Sequence, residues 1–180
     1  AHASVSAVTE YIKKDCCAAG RLIEKEINAL DMIKTNPKHP FTAIMGGAKV
    51  SDKISIILSL INSCNDILIG GAMAYTLLAF KGLSVGASRI EEGQDELVKS
   101  IFSAAEKRNV KIHLPVDHVC GKEFSETTET LVTEDANISS GWMGLDIGPK
   151  TQEQYATVIR KSSTVFWNGP MGVFEWDAFK

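Results

Sequence analysis

Apolar residues recur along this chain in two alternating rhythms. Over residues 18–33, Leu22, Ile23, Ile27, Leu30 and Ile33 fall at three- and four-residue spacing, with Glu24, Lys25 and Asp31 elsewhere. That spacing predicts an amphipathic helix. The stretch Lys34-Thr35-Asn36-Pro37-Lys38-His39-Pro40 ends it, because two prolines cannot continue a helix. Phe41 to Met45 then forms a short apolar run halted by Gly46-Gly47, which predicts a buried strand, and Ile54, Ile57, Leu58 and Ile61 restore helical spacing. The cycle repeats with Asp66-Ile67-Leu68-Ile69, Gly70-Gly71 and a helix through Met73, Tyr75, Leu77 and Leu78. A helix over 92–109, with Leu97, Ile101, Ala104 and Ala105 inward, precedes a strand from Lys111 to Val116. The polar segment from about 117 to 140, with Thr127, Thr128 and Thr130 among acids, is expected to be a loop holding one short strand at most. Thr151 followed by Gln154 resembles a capping box for a helix that buries Tyr155, Val158 and Ile159. Thr164 to Trp167 reads as a last strand, ending in Asn168-Gly169-Pro170.

Four strands interleaved with helices, each strand almost unbroken in its apolar run, predict an α/β fold: a parallel sheet covered by helices on both faces. Ligands of such sheets bind beyond the carboxyl ends of the strands. The loops after Met45, Ile69, Val116 and Trp167 are therefore where chemistry is expected.

Composition narrows the field by exclusion. With 180 residues, 44% of them apolar, 19 Lys+Arg against 22 Asp+Glu and a net charge of −3, the chain is expected to be globular, with neither disordered nor collagen-like character. Its length suits one domain, or one domain with an attached piece. The mild acidity and the even spread of Lys and Arg give no reason to expect a nucleic-acid partner, so any phosphate recognition must be local. No apolar run reaches the ~18–20 residues that span a bilayer, and Ala1-His2-Ala3-Ser4-Val5 lacks the character of a signal peptide. A soluble, intracellular protein without a membrane partner is expected. Cys16, Cys17, Cys64 and Cys120 lack zinc or redox spacing and are expected as reduced, mostly buried thiols. The histidines at 2, 39, 113 and 118 show no metal spacing.

The most informative segment is Met45-Gly46-Gly47-Ala48-Lys49-Val50-Ser51-Asp52-Lys53. Glycines admit a ligand close to the backbone, the first helical turn offers free N–H groups, and Lys49 and Lys53 at i, i+4 place two positive charges on one helix face to track a polyphosphate. A plain strand-to-helix turn with solvated lysines is the alternative. The segment is no Walker A loop, and no Gly-x-Gly-x-x-Gly stands in its place. Gly70-Gly71-Ala72-Met73 offers either a backbone surface for a flat ring or simple helix-on-strand packing. Trp167 to Glu175 forms a rigid loop that exposes Asn168 and Glu175, where a carboxylate suits ribose hydroxyls or, alternatively, a helix start. The glycine-dense loop Gly141 to Gly148 either lines a nucleobase slot or is a turn around a core Trp142. Asp117 stands at a strand end with nothing else to mark it.

Taken in order, these segments resemble the phosphoglycerate kinase family over essentially the whole chain. Ala1-His2-Ala3-Ser4 resembles the end of its His-Arg-Ala-His-x-Ser segment, and Gly46 to Lys53 its Gly-Gly-x-Lys-Val-x-x-Lys phosphate loop. Gly70 to Met73, Gly82-Leu83-Ser84-Val85-Gly86, Leu114-Pro115-Val116-Asp117, Gly141 to Gly148 and Trp167 to Glu175 follow in family order, with Ala72 where a third glycine is frequent. The resemblance implies a three-layer αβα, Rossmann-like domain. It implies that residues 1–17 end an N-terminal substrate domain, that 18–34 are an inter-domain helix, and that 36–180 are most of a nucleotide-binding domain.

By resemblance Lys53 contacts the nucleotide phosphates with Lys49 beside it. Gly47, Ala48, Gly70, Gly71, Leu83, Gly144 and Leu145 line the adenosine slot, Asn168, Pro170, Gly172 and Val173 close its other side, and Glu175 holds the ribose hydroxyls. The implied reaction is reversible phosphoryl transfer from 1,3-bisphosphoglycerate to Mg-ADP, giving 3-phosphoglycerate and ATP in glycolysis, in a cytoplasmic monomer that closes about a hinge. The arginine for 3-phosphoglycerate would precede Ala1, and the loop bearing the magnesium ligand would follow Lys180. The 180 residues alone are thus expected to bind nucleotide without turnover. A nicotinamide-dependent dehydrogenase is the rival enzyme reading, disfavoured by the missing Gly-x-Gly-x-x-Gly, and a non-catalytic nucleotide-binding fragment is the other.

Overall fold

The structure, a computed structural model, describes residues 7–179. The chain divides into two compact units, Ala1–Pro37 and Lys38–Lys180. The Ala1-His2-Ala3-Ser4 motif lies outside the described residues. In the first unit, two short 3-10 turns, Ala7–Glu10 and Lys14–Cys16, precede helix α1, Arg21–Thr35. The prolines end α1 as its sequence predicts, with the N–H of Asn36 closing on Met32 O. None of its residues is buried.

The second unit begins with β1 (Phe41–Met45), α2 (Ile54–Leu60), β2 (Asp66–Ile69) and α3 (Met73–Phe80). It continues through α4 (Asp95–Lys107), β3 (Lys111–His113), β4 (His118–Gly121) and β5 (Thr130–Val132). β6 (Met143–Ile147), α5 (Pro149–Arg160), β7 (Thr164–Asn168) and a 3-10 turn at Asp177–Phe179 complete it. The four strands anticipated from apolar runs form one parallel sheet in the order β3-β2-β1-β7. β1 is buried at every residue, as a strand covered on both faces must be. On one face, Ile44 and Leu68 pack with Ile147 and Tyr155, and Val158 and Ile159 of α5 close over them. The fold class is therefore the α/β, Rossmann-like one expected.

Three local expectations are corrected. The strand after α4 stops at His113 instead of Val116, because Pro115 has no N–H to give and Val116 donates its own to Thr151 Oγ1. The polar segment and the glycine-dense stretch are not loops throughout: β4, β5 and β6 form a second, antiparallel sheet in the order β5-β4-β6. Its glycines mark close approaches instead of breaks. A Cβ on Gly144 would lie 2.2 Å from the Tyr75 hydroxyl, and one on Gly121 2.7 Å from a Leu145 methyl. Finally, Thr151 does not cap α5. The helix starts after Gly148 with Pro149 in its first turn, and the fully buried Asp117 carboxylate, arriving from the chain before β4, accepts the N–H groups of Lys150 (2.9 Å) and Thr151 (2.8 Å). Thr151 Oγ1 donates to the same carboxylate at 2.6 Å.

The described cysteines are all free, but only Cys64 and Cys120 are buried; Cys16 and Cys17 are exposed, contrary to the mostly buried set expected. Burial pushes the Cys64 thiol up to about 12 and that of Cys120 up to about 11. No helix among the described residues is long and apolar enough to cross a membrane.

Candidate functional site

The carboxyl ends of β1, β2 and β7 meet, and glycine is what lets them meet. Gly46 donates its N–H to Asn168 O (2.9 Å), Gly71 to Met171 O (2.6 Å), and Met73 to Gly47 O (2.9 Å). At Gly71, φ is +67°, and a Cβ would stand 2.6 Å from the Gly47 backbone; at Gly169, φ is +88°, and a Cβ would stand 2.2 Å from Gly46 O. No other residue fits either place. The second sheet is tied in from the side, since Val173 donates its N–H to Leu145 O at 3.0 Å.

These loops and β6 enclose a cleft of about 460 Å³. Gly47 and Ala48 line one wall and Gly71, Ala72 and Tyr75 another. Gly144 and Leu145 of β6 face Pro170, Gly172, Val173 and Glu175, with Ala87, Arg89, Phe124 and Met143 completing the lining. Eight expected site residues, Gly47, Ala48, Gly71, Gly144, Leu145, Pro170, Gly172 and Val173, thus gather around one space, and Glu175 stands exposed beside them.

The remaining expected residues are placed otherwise. Lys53 and Asn168 lie off the lining and bond to one another, Lys53 Nζ donating to Asn168 Oδ1 at 2.5 Å. Lys53 also passes the cleft wall, its side chain 3.5 Å from where a Gly47 Cβ would stand. Lys49 is exposed. The two lysines do not share a helix face, because α2 begins only at Ile54 and residues 49–53 form a turn closed by Lys53 N–H to Val50 O at 3.0 Å. Glu91 explains that turn: its carboxylate accepts the Ser51 N–H at 3.1 Å and the Ser51 hydroxyl. Those bonds, and the positive field of Lys49, hold Glu91 below the usual carboxylate range. Gly70 is buried against Met171 behind the cleft, and Leu83 packs on the cluster of Tyr75, Leu78, Cys120 and Ile138.

Two buried ionisable groups back the cleft. Asp146 is 8% exposed, lies against the Cα of Gly172, and accepts only the Ile147 N–H among the described residues, so burial raises its carboxyl to about 6. His118, wholly buried, donates from Nε2 to Ala136 O while its Nδ1 has no partner among the described residues, and burial lowers its pKa. No group of three or more His, Cys, Asp or Glu side chains able to hold a metal gathers among the described residues. The described residues of this chain therefore offer no side-chain set that fits a protein-bound metal.

Tyr75, Arg89 and Phe124 line the cleft without having been singled out by the sequence. Apolar spacing marks Tyr75 as a core residue, and nothing local signals Arg89 or Phe124, which reach the cleft from distant loops.

The family model described as phosphoglycerate kinase matches residues 1–180. A phosphoglycerate kinase of Clostridium perfringens is 51% identical over 179 residues, 99% of this chain and 44% of its own length. One from Anaeromyxobacter sp. (strain K) is 50% identical over 175 residues, again 44% of its length. The chain thus spans less than half the length of these curated relatives. Among solved structures, phosphoglycerate kinase from Coxiella burnetii superposes with a TM-score of 0.84 at 35% identity, covering 89% of this chain and 41% of that one. The enzyme from Pyrococcus horikoshii OT3 gives 0.69 at 28% identity, with the same coverage.

Proposed function

The chain belongs to the phosphoglycerate kinase family, and from that premise we propose that residues 36–180 form the nucleotide half of a reversible phosphoryl transfer from 1,3-bisphosphoglycerate to Mg-ADP. The products are 3-phosphoglycerate and ATP. The phosphoryl group leaves a carboxylate oxygen of the first substrate and bonds to a terminal oxygen of the second, so no covalent enzyme intermediate is needed. What the protein must supply is position and fixed positive charge.

The observation that carries this reading is the cleft itself: backbone glycine and small apolar walls of about 460 Å³, a carboxylate at one margin, and Lys53 at another, held on Asn168. Apolar walls suit a flat base, Glu175 suits the ribose hydroxyls, and Lys53 with the exposed Lys49 suits the phosphates. The hydrogen bond from Lys53 to Asn168 fixes the ammonium before the nucleotide arrives, which lowers the entropy lost on binding. Magnesium enters as part of the nucleotide complex, and no step is assigned to a metal ligand in this chain. Residues 1–17 and 18–34 are assigned to the end of the 3-phosphoglycerate domain and to the inter-domain helix, with hinge closure expelling water before transfer. The protein is assigned to the cytoplasm as a monomer, and these 180 residues are expected to bind nucleotide without turnover.

Calorimetric titration of the chain tests the reading. Mg-ADP should bind saturably at one site, more tightly than NAD, and Lys53→Ala should weaken it about tenfold or more, the scale of a lost charge-assisted bond. Binding of NAD in preference to Mg-ADP would favour a dehydrogenase, and no nucleotide binding at all would remove the reading. Steady ATP formation by the isolated chain would contradict the assignment of one half-site.

A further inference from the structure

Two tyrosines are buried beside the site, and their hydroxyls are treated differently. Tyr155, 4% exposed, donates to Ile69 O at 2.7 Å and approaches His113 O at 3.1 Å, as a buried phenol ordinarily must. Tyr75 is equally buried as a residue at 4% exposed, yet its hydroxyl has no hydrogen-bond partner among the described residues and, unlike the ring, is not sealed from solvent. Unlike Tyr155, it lines the cleft. Its ring is braced on one side by His118, with ring centroids 5.4 Å apart, and its hydroxyl rests where a Gly144 Cβ would stand, 2.2 Å away. Gly144 in turn is fixed by its N–H to Ser88 Oγ at 2.8 Å. The space that this unsealed hydroxyl oxygen adjoins is the cleft.

Resting on the nucleotide reading above, we propose that the Tyr75 hydroxyl is a specificity-determining group that exchanges a hydrogen bond with the 6-substituent of a purine base. The other polar side chains of the lining, Arg89 and Glu175, are both exposed. With the ribose at Glu175 and the phosphates toward Lys53, the base enters the apolar part of the cleft between Leu145, Val173 and Gly71, and the edge opposite its glycosidic bond points deepest. That edge carries the 6-substituent, and Tyr75 is the polar side chain of the lining that is buried, where Arg89 and Glu175 are exposed. Burial raises the phenol well above its ordinary value, so it stays protonated and keeps both a donor and an acceptor.

The test compares Mg-ADP with the diphosphate of unsubstituted purine riboside, which lacks only the 6-amino group, on the wild-type chain and on Tyr75→Phe. Wild type should bind Mg-ADP roughly three- to tenfold more tightly than the analogue, the worth of one neutral hydrogen bond, and Tyr75→Phe should erase most of that preference. The nucleotide-free variant should melt no lower than wild type, since the lost hydroxyl satisfied nothing in the protein. A preference that survives in Tyr75→Phe overturns the inference, as does an equal weakening of both ligands, the mark of a structural role transmitted through Gly144. If the wild type binds neither ligand, the nucleotide reading itself has failed instead.

Discussion

Asp146 and His118 show how single groups set the pH response of this site, because burial moves them in opposite senses. The folded-state carboxyl of Asp146 stands at about 6 against an ordinary 3.8, so the stability it contributes is fully present below pH 3.8 and is lost as pH rises through 6. His118 is held neutral; its contribution is present above pH 6.5 and is lost as pH falls through its lowered folded-state value. Asp146→Asn keeps an oxygen for the Ile147 N–H but cannot ionise. It should stabilise the protein by about 1–3 kcal/mol at pH 7 and by much less at pH 4. Urea titration at the two pH values reads the difference, and a pH-independent effect would refute the assignment. At the same scale, Gly46→Ala places a Cβ 1.9 Å from Pro170 O and should cost about 2 kcal/mol or more while weakening nucleotide binding.

Between elements, the sequence displays what is local and apolar and hides what is assembled at a distance. β1, β2, β3 and β7 are legible because strands of a parallel sheet are buried on both faces, so their apolar runs are nearly continuous. β5 is exposed at all three residues, and β4 and β6 carry glycine, His or Asp; their alternation is too short to separate from loop. The glycine pairs announce the cleft, since strand end, Gly-Gly and helix recur after β1 and β2. Tyr75 does not announce itself, because helical spacing reports burial and says nothing of a hydroxyl without a partner. Nor does the turn before α2, which is fixed by Glu91 some forty residues onward. Asp117 is the clearest such case: its position at a strand end is visible, its partner Thr151 is not. Asp117→Ala would strip two helix-start N–H groups and a buried hydroxyl of their acceptor. It should cost about 2–4 kcal/mol in urea unfolding and speed amide exchange at Lys150 and Thr151, with Asp117→Asn recovering part of both. Unchanged exchange there would show that α5 is held by packing alone.

For the molecule as a whole, the second unit, Lys38–Lys180, carries a preformed cleft, and the proposed function gives that cleft to the nucleotide. A ligand that binds only the folded state stabilises it by mass action, about 2.7 kcal/mol at a hundredfold excess over Kd. Mg-ADP should therefore raise the melting temperature of the wild type, and at the same concentration should do so far less for Lys53→Ala. The most direct single test is an amide-resolved NMR titration of the chain with Mg-ADP. The largest shifts are predicted at Gly47, Ala48, Gly71, Gly144, Leu145, Gly172 and Val173, which surround the cleft. Shifts centred instead on the groove of His113, Lys150, Glu153 and Thr157 would contradict it, as would a spectrum that does not respond at all.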